Sequence, residues 1–514
     1  MAYQDFQHFI SVLESLGELK RISTPVSPYL EITEITDRVI KQSGPALLFE
    51  NPVGPLHRLG SPNPNSAILG HPSIHPDSAP KGERKYSIPV AINTMGSRKR
   101  MSLALSCNDF EEHAERIESL LNPTIPTGLL DSIRLFPHLF QELKNVPPQI
   151  VHSGICQEIV LKGDEIDLTQ IPVLTCWPED GGPFLTLPLV FTHDPSTGKR
   201  NVGMYRVQIF DSRTCGMHWQ MHKTGAEHME SAKKQNKKLE VAVVLGGDPV
   251  YTFCSLAPLP SGIDEMLFAG FLRKEKAKLV KCKTVDLKVP ADAEIVLEGF
   301  VDPTEKRLEG PFGDHTGYYS LAEDFPIFHV TCVTMRKKPV YPATIVGMPP
   351  MEDAWMGKAV ERIFMPFIRM FLPEIVDMNL PVDACFHNMA FVSIKKNYPG
   401  HAFKVMNALW GTGQLAFSKM IFVFDEECNV QDIGEVLFRI GANSDPGRDL
   451  LLSRGPVDQL DHAAQYEGLG GKMGLDCTHK WPGENGFQRD YPKLVKMSED
   501  VKKRVDHLWS QLGL

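Results

Sequence analysis

Between residues 185 and 335 the chain repeats one pattern, short apolar runs closed by turn residues, and this pattern limits the fold more than any other feature. "LTLPLVFTHDPSTGKRNVGMYRVQIFD" is apolar on both sides of a "DPSTGK" turn, which predicts a hairpin within 185–211. "LEVAVVLGGDP", "AEIVLEGFV" and "FPIFHVTCVTM" supply three further strands. Many short strands at such spacing predict a barrel or a sandwich.

The flanks read as α/β. "MAYQDFQHFISVLESLGELKRI" places Phe6, Phe9, Ile10, Leu13 and Leu16 at helical spacing and predicts a helix stopped near Gly17. Its acids, Asp5 and Glu14, interrupt what a signal peptide would keep apolar. "LEITEITDRVIKQSGPALLFE" predicts a helix with Ile32, Ile35 and Val39 inward, a break at Gly44-Pro45 and a short strand. Beyond about 340, "DAWMGKAVERIFMPFIRMFLPEIVDM" carries Ile363, Phe367, Met370 and Phe371 on one stripe expected in a core, and "KMIFVFDEE" reads as a buried strand. The stretch 59–85 is crowded with Pro, Ser, Gly and Asn, has no period, and reads as a long excursion.

At 514 residues the chain exceeds one compact core and implies two to four domains. A formal charge of −9 disfavours chain-wide attraction to nucleic acid or anionic lipid. Ten cysteines stand singly with no C-x-x-C, a pattern expected of unpaired buried thiols in a reducing cytoplasm. No apolar stretch approaches about 18 residues, so no spanning helix is expected and a cytoplasmic location is the default.

"LEGPFGDHTGYY" sets two carboxylates, Glu309 and Asp314, five residues apart. Extended chain would separate them by about 17 Å, but Gly310, Pro311 and Gly313 suit a bend that folds the segment back. The alternative is a surface loop with solvated acids. In "KRNVGMYRVQIFD", Asn201 and Arg206 have odd separation, so a regular strand would point them to opposite faces; either a bulge re-aims one or they touch different parts of a large ligand. In "CGMHWQMHKTGAEH", His218 and His222 at i, i+4 would share a helical face and could hold a metal, although H-E-x-x-H is absent. Glu265 precedes an apolar helix, as an acid of the first turn does for reasons of the helix dipole. Neither G-x-G-x-x-G nor a P-loop is present, so a phosphate-bearing cofactor would be held otherwise, for instance through a divalent cation.

These stretches together resemble the UbiD family of decarboxylases, which use prenylated FMN. The resemblance spans nearly the whole chain and includes "LTQIPVLTCWPED", "NVGMYRVQ", "VPADAEIVLEGF", "EGPFGDHTGYY", "SIKKNYPGHA" and "GGKMGLDCTHKWPGE" in the family's order. It implies an α+β multidomain fold: an N-terminal α/β domain over 1–120, a central split β-barrel of flavin-reductase type over 121–330 that holds the flavin, and a C-terminal α/β and oligomerisation domain over 331–514. It implies Arg206, Glu309 and Asp314 as catalytic residues, and Asn201 and Glu265 as ligands of a Mn²⁺ that bridges to the cofactor phosphate, with K⁺ as a further candidate ion. His218 matches a third ligand in some members, while others carry a different residue there. Met204, Tyr205, Trp219, Gln220, Lys223 and Thr224 match positions that line the cofactor, alongside Arg206 and His218.

The implied activity is reversible, non-oxidative decarboxylation of an aromatic acid, as in ubiquinone or menaquinone biosynthesis. A polyprenyl hydroxybenzoate, a dihydroxynaphthoate and a smaller phenolic or heteroaromatic acid all fit the same groups. Carbanion character at the ring needs the flavin as electron sink, Arg206 to orient the carboxylate, and an acid protonated near neutrality to return a proton. Two neighbouring carboxylates beside an apolar substrate are expected to raise at least one pKa, which assigns Asp314 as donor and Glu309, coupled to Arg206, as its tuning partner. Expected partners are a flavin prenyltransferase that supplies the cofactor and a second copy of the chain in a dimer or hexamer. No nucleic acid is expected, and a polyprenyl substrate would bring peripheral contact with the bilayer. Two rivals are a metallohydrolase built on His218, His222 and Glu265, and a non-catalytic flavin-binding protein.

Overall fold

The computed structural model describes residues 2–55, 83–121, 144–221, 223–259 and 263–513. His222 lies outside them, as does the 59–85 excursion except for the strand Glu83–Lys85, which pairs with Val53–Pro55.

The first helix is Phe6–Ser15, capped by the Asp5 carboxylate, which accepts from the His8 backbone N–H at 2.8 Å. Phe6, Phe9, Ile10 and Leu13 are buried as expected; Leu16 falls at the C-cap and is exposed. In the helix Glu31–Lys41, Ile32 is buried, but Ile35 and Val39 are only half-buried, and Thr33, Thr36 and Ile40 take the innermost places. Thr36 can be buried because its hydroxyl donates to the Ile32 carbonyl at 2.7 Å. The strand Ala46–Phe49 follows the Gly44-Pro45 break and joins a four-stranded sheet with Leu19–Ile22, Val90–Ile92 and Tyr341–Ala343.

The central body is a curled, antiparallel, nine-stranded sheet, in agreement with the expected split barrel. Its order is Arg200–Met204, Leu189–His193, Leu239–Leu245, Ile295–Glu309, Glu323–Met335, Thr214–Met217, Val207–Ile209 and Phe184–Leu185, with Ile159–Lys162 also on Glu323–Met335. The predicted hairpin is present, with Asn201 opposite Thr192 and Asp194 closing the turn on the Ser196 N–H at 2.9 Å. The two longest strands shift register twice, between Glu298 and Gly299 and between Val301 and Lys306, which bends the sheet. Both faces are buried: Val241, Val243 and Leu245 enter one core while Ala242 and Val244 enter another, as strand alternation requires. That second core also receives Phe6, Phe9, Leu48, Ala91, Ile363 and Phe364, so it joins the amino-terminal layer to the barrel. The strand Glu323–Met335 runs past residue 330, and Tyr341–Ala343 returns to the amino-terminal sheet.

The helix Glu352–Phe371 leads into a five-stranded sheet, Ile375–Asn379, Met389–Ile394, Met420–Asp425, Leu469–Asp476 and Leu450–Pro456 in that order, with cores of its own. Met420–Asp425 is the buried strand expected of "KMIFVFDEE". The expected stripe on the helix holds only in part: Ile363 is buried and Phe367 half-buried, but Met370 and Phe371, in the last turn, are exposed. All ten cysteines are free, nine of them buried. Among the described residues no helix is long and apolar enough to cross a membrane.

Candidate active site

The site forms where Ile295–Glu309 leaves the sheet. Gly310 adopts a φ of +89°, a conformation that favours glycine, and Phe312–Gly313 turns back to pair with Tyr319–Ser320. A Cβ at Gly313 would lie 2.1 Å from the Trp177 ring, so only glycine lets the turn rest on that indole. Gln208 Oε1 accepts from the Gly310 N–H and Asp180 Oδ1 from the Gly313 N–H, each at 2.8 Å. Asp180 Oδ2 accepts from the Cys176 and Trp177 N–H groups at 2.9 Å, tying the "CWPED" segment to the acid-bearing turn. Burial raises Asp180 to about 7, against the pull of those three N–H groups and Arg206.

The turn brings both predicted acids to Arg206. Tyr205 and Arg206 lie in an irregular step between Arg200–Met204 and Val207–Ile209, so the sheet's alternation is interrupted where Arg206 must face the turn. Its Nε and Nη2 donate to Glu309 Oε1 and Oε2 at 2.8 and 3.1 Å, Nη1 to Asp314 Oδ2 at 2.5 Å, and Nη2 also to Ser320 Oγ at 3.0 Å. The Phe312 ring lies 4.8 Å from the guanidinium carbon. Glu309 is fully buried and Asp314 nearly so.

The expected rise in the Asp314 pKa is not found. Burial pushes both acids up, but the groups paired with each reverse the sign. Arg206 and a hydrogen bond from His218 hold Glu309 below the usual carboxylate range. His315 and Arg206 hold Asp314 well below it. His315 donates to Asp314 Oδ1 from both its backbone N–H and Nδ1, each at 2.7 Å. Burial lowers the imidazole, yet the Asp314 contact raises it to about 9.

His218 follows the strand Thr214–Met217 and lies outside any helix, and His222, its supposed i+4 partner, is outside the described residues. Its Nδ1 lies 3.1 Å from Glu309 Oε2, its ring packs on Phe325, and its buried Nε2 has no partner among the described residues. Glu265 is the first residue of the helix Glu265–Arg273, capped by Asp264, and its Oε2 accepts from the Val202 N–H at 3.1 Å, beside Asn201. Burial raises Glu265 to about 7. Asn201 Nδ2 and the Gly225 N–H both reach the Tyr205 hydroxyl at 3.4 Å. Trp219 stands edge-on to Tyr205, and its buried indole N–H has no partner among the described residues. Met204 is half-buried against the core, and Gln220 precedes the exposed Lys223 and Thr224 at the start of the helix Thr224–Lys234. Two orphaned buried nitrogens, a desolvated carboxylate beside an amide and a helix N-terminus suit a polar, phosphate-bearing cofactor held through a cation.

Residues not singled out from sequence complete the site. Asp180 and His315 stood within quoted motifs. Cys385 and His387 come from the carboxy-terminal layer, where one nitrogen each of His315 and His387 and the Cys385 sulfur lie within 4.8 Å of one another. Cys385 Sγ approaches the His315 carbonyl at 3.3 Å, and the Phe386 ring stacks on His315.

Sequence-family profiles of 3-octaprenyl-4-hydroxybenzoate carboxy-lyase match three segments: the N-terminal domain at residues 10–64, the Rift-related domain at 149–349 and the C-terminal domain at 354–477. An uncharacterised protein of Archaeoglobus fulgidus is 47% identical over 514 residues, covering 100% of this chain and 99% of its own. The vanillic acid decarboxylase of Sedimentibacter hydroxybenzoicus in closed form superposes with a TM-score of 0.81 at 25% identity, over 100% of this chain and 99% of that one. The UbiD-class enzyme HmfF of Pelotomaculum thermopropionicum in complex with FMN gives 0.76 at 27% identity, over 98% of this chain and 100% of that one.

Proposed function

The chain belongs to the UbiD family of carboxy-lyases, and from that footing we propose that it removes CO₂, reversibly and without net oxidation, from an aromatic acid bearing a phenolic hydroxyl. The observation that carries this reading is the Arg206 guanidinium held between Glu309 and Asp314. The substrate class is supported by the family's hydroxybenzoate description and by the vanillic acid decarboxylase. A polyprenyl hydroxybenzoate is the first candidate, a dihydroxynaphthoate or a smaller acid the alternatives.

The cofactor of this reading is prenylated FMN, supported by the FMN-bound neighbour and by the orphaned nitrogens of His218 and Trp219. When bound, it supplies the electron sink for the ring carbon that CO₂ leaves. Met204, Tyr205, Trp219 and Gln220 would line it, with Lys223 and Thr224 at the helix start that suits a phosphate. Asn201, Glu265 and His218 would hold a divalent cation such as Mn²⁺.

Arg206 is in contact with both acids, and a substrate carboxylate is drawn to it. A third carboxylate at that guanidinium competes with Asp314 for Nη1. Asp314, losing part of its counter-charge, then gains proton affinity. Glu309 keeps its two bonds and fixes the guanidinium plane.

The test is to produce the chain together with a flavin prenyltransferase and to measure CO₂ release from a panel of phenolic and heteroaromatic acids. Release from at least one, with flavin absorbance in the same preparation, is expected. A flavin-loaded protein inert towards every acid refutes the reading, and CO₂ release that survives removal of flavin would overturn the cofactor assignment.

A further inference from the structure

Replacing CO₂ by hydrogen consumes one proton per turnover, and in the free site neither acid on Arg206 carries it. Arg206 and His315 together hold Asp314 as a carboxylate. The group that does hold a proton is His315, whose Nδ1 is 2.7 Å from Asp314 Oδ1. Resting on the decarboxylase reading above, we propose that His315 is the proton reservoir of the reaction, acting through Asp314.

The geometry joins a source, a carrier and an outlet. His315 is half-buried, its side chain keeping about a fifth of its exposure, so water can restore its proton. Asp314 bridges it to Arg206, the group that would receive the substrate carboxylate. When that carboxylate takes Nη1, the proton moves from His315 Nδ1 to Asp314. As the bond from ring to CO₂ breaks, its electron pair stays on the ring carbon and the Asp314 proton bonds to it. Asp314 returns to carboxylate, His315 is left neutral, and a solvent proton restores the imidazolium. One proton is consumed and none is left over.

The groups facing His315 favour its charge. Asp353, at the start of the helix Glu352–Phe371, and Asp458 stand with Asp314 around the ring, and all three raise its proton affinity. Burial lifts Asp353 itself to about 6. Against it stand His387, held down to about 4 by burial and by the His315 charge, and the Cys385 thiol, raised to about 12 by burial. Both are neutral near pH 7, so His315 is the group of this cluster that carries positive charge. Its raised pKa keeps the proton in place at neutral pH and loses it as pH climbs through about 9.

The experiment uses flavin-loaded protein and the best substrate of the wild type, with kcat and KM measured between about pH 5 and pH 10 for wild type, His315→Asn and His315→Ala. Asparagine can still donate a hydrogen bond to Asp314 but cannot hold a transferable proton. Expected are a wild-type alkaline limb near the His315 value, and in both variants a fall in kcat of about 100-fold near pH 8 with KM within about threefold, activity being confined to the acid side. Rescue by asparagine with an unshifted pH profile would assign His315 to structure and overturn the proposal, as would loss of flavin absorbance from both variants. A wild type that releases no CO₂ from any acid refutes the decarboxylase reading itself, and this inference with it.

Discussion

Arg206 grips Glu309 with two parallel bonds, Nε to Oε1 at 2.8 Å and Nη2 to Oε2 at 3.1 Å, and both partners are withdrawn from water. Lysine is a point charge on a flexible stem and cannot reproduce that fork while reaching Asp314. Arg206→Lys is therefore expected to lower kcat/KM by more than about 100-fold. It should also cost roughly 1–3 kcal/mol through the carboxylate oxygens left without donors. CO₂ release and a denaturant midpoint on the same preparation check both parts; activity within a few-fold of wild type would remove Arg206 from the chemistry.

In the proposed reaction Asp314 links the proton to the ring, so Asp314→Asn is expected to keep flavin absorbance while losing turnover and solvent deuterium exchange at the ring carbon. Its effect on stability has a definite sign. A carboxylate held below its ordinary value of about 3.9 stabilises the fold above that pH, and the benefit disappears as pH falls through the lower folded value. The variant should thus melt lower than wild type near pH 7 and converge with it in strong acid, which thermal melts across that range would show. Undiminished deuterium exchange would exclude Asp314 as donor.

Among the described residues no ion pair reaches Glu265, and its donors are its own backbone N–H and that of Val202. A desolvated carboxylate in that state is costly unless a ligand pairs with it. Glu265→Ala and Asn201→Ala should each purify with little flavin absorbance and reduced manganese by elemental analysis, with the fold retained. A fully flavin-loaded Glu265→Ala protein would contradict the cation-holding role.

The bend at 308–319 was legible in the sequence because its causes are local: glycine and proline set the turn whatever surrounds them. The hairpin, the long strands and the first helix were legible for the same reason, since alternation and helical spacing act over a few residues. The charge state of Asp314 was not. It rests first on the His315 ring turned onto the carboxylate and then on Arg206, 108 residues away in the chain, and no local pattern shows either contact. The exposure of Met370 and Phe371 escaped because a helical stripe records which residues share a side, while what covers that side is a tertiary fact. The setting of His315 was hidden likewise: Cys385 and His387 reach it from a separate layer, and nothing in their local sequence marks the meeting.

The helix Glu499–Leu512 has no buried residue, yet Val505, Leu508, Trp509 and Leu512 fall at i, i+3, i+4 and i+7, the spacing of a single apolar face. Such a face exposed on a lone chain forgoes about 1.5–3 kcal/mol for each large side chain that could be covered. A second copy is the expected cover, in keeping with the oligomer expected from sequence. Leu508→Glu with Trp509→Glu places two charges in the middle of the face, where burial would be prohibitive. Sedimentation velocity should find the wild type as a dimer or larger and the double variant as a smaller species. An unchanged mass in the variant, or a monomeric wild type, would place the contact elsewhere or dispense with it.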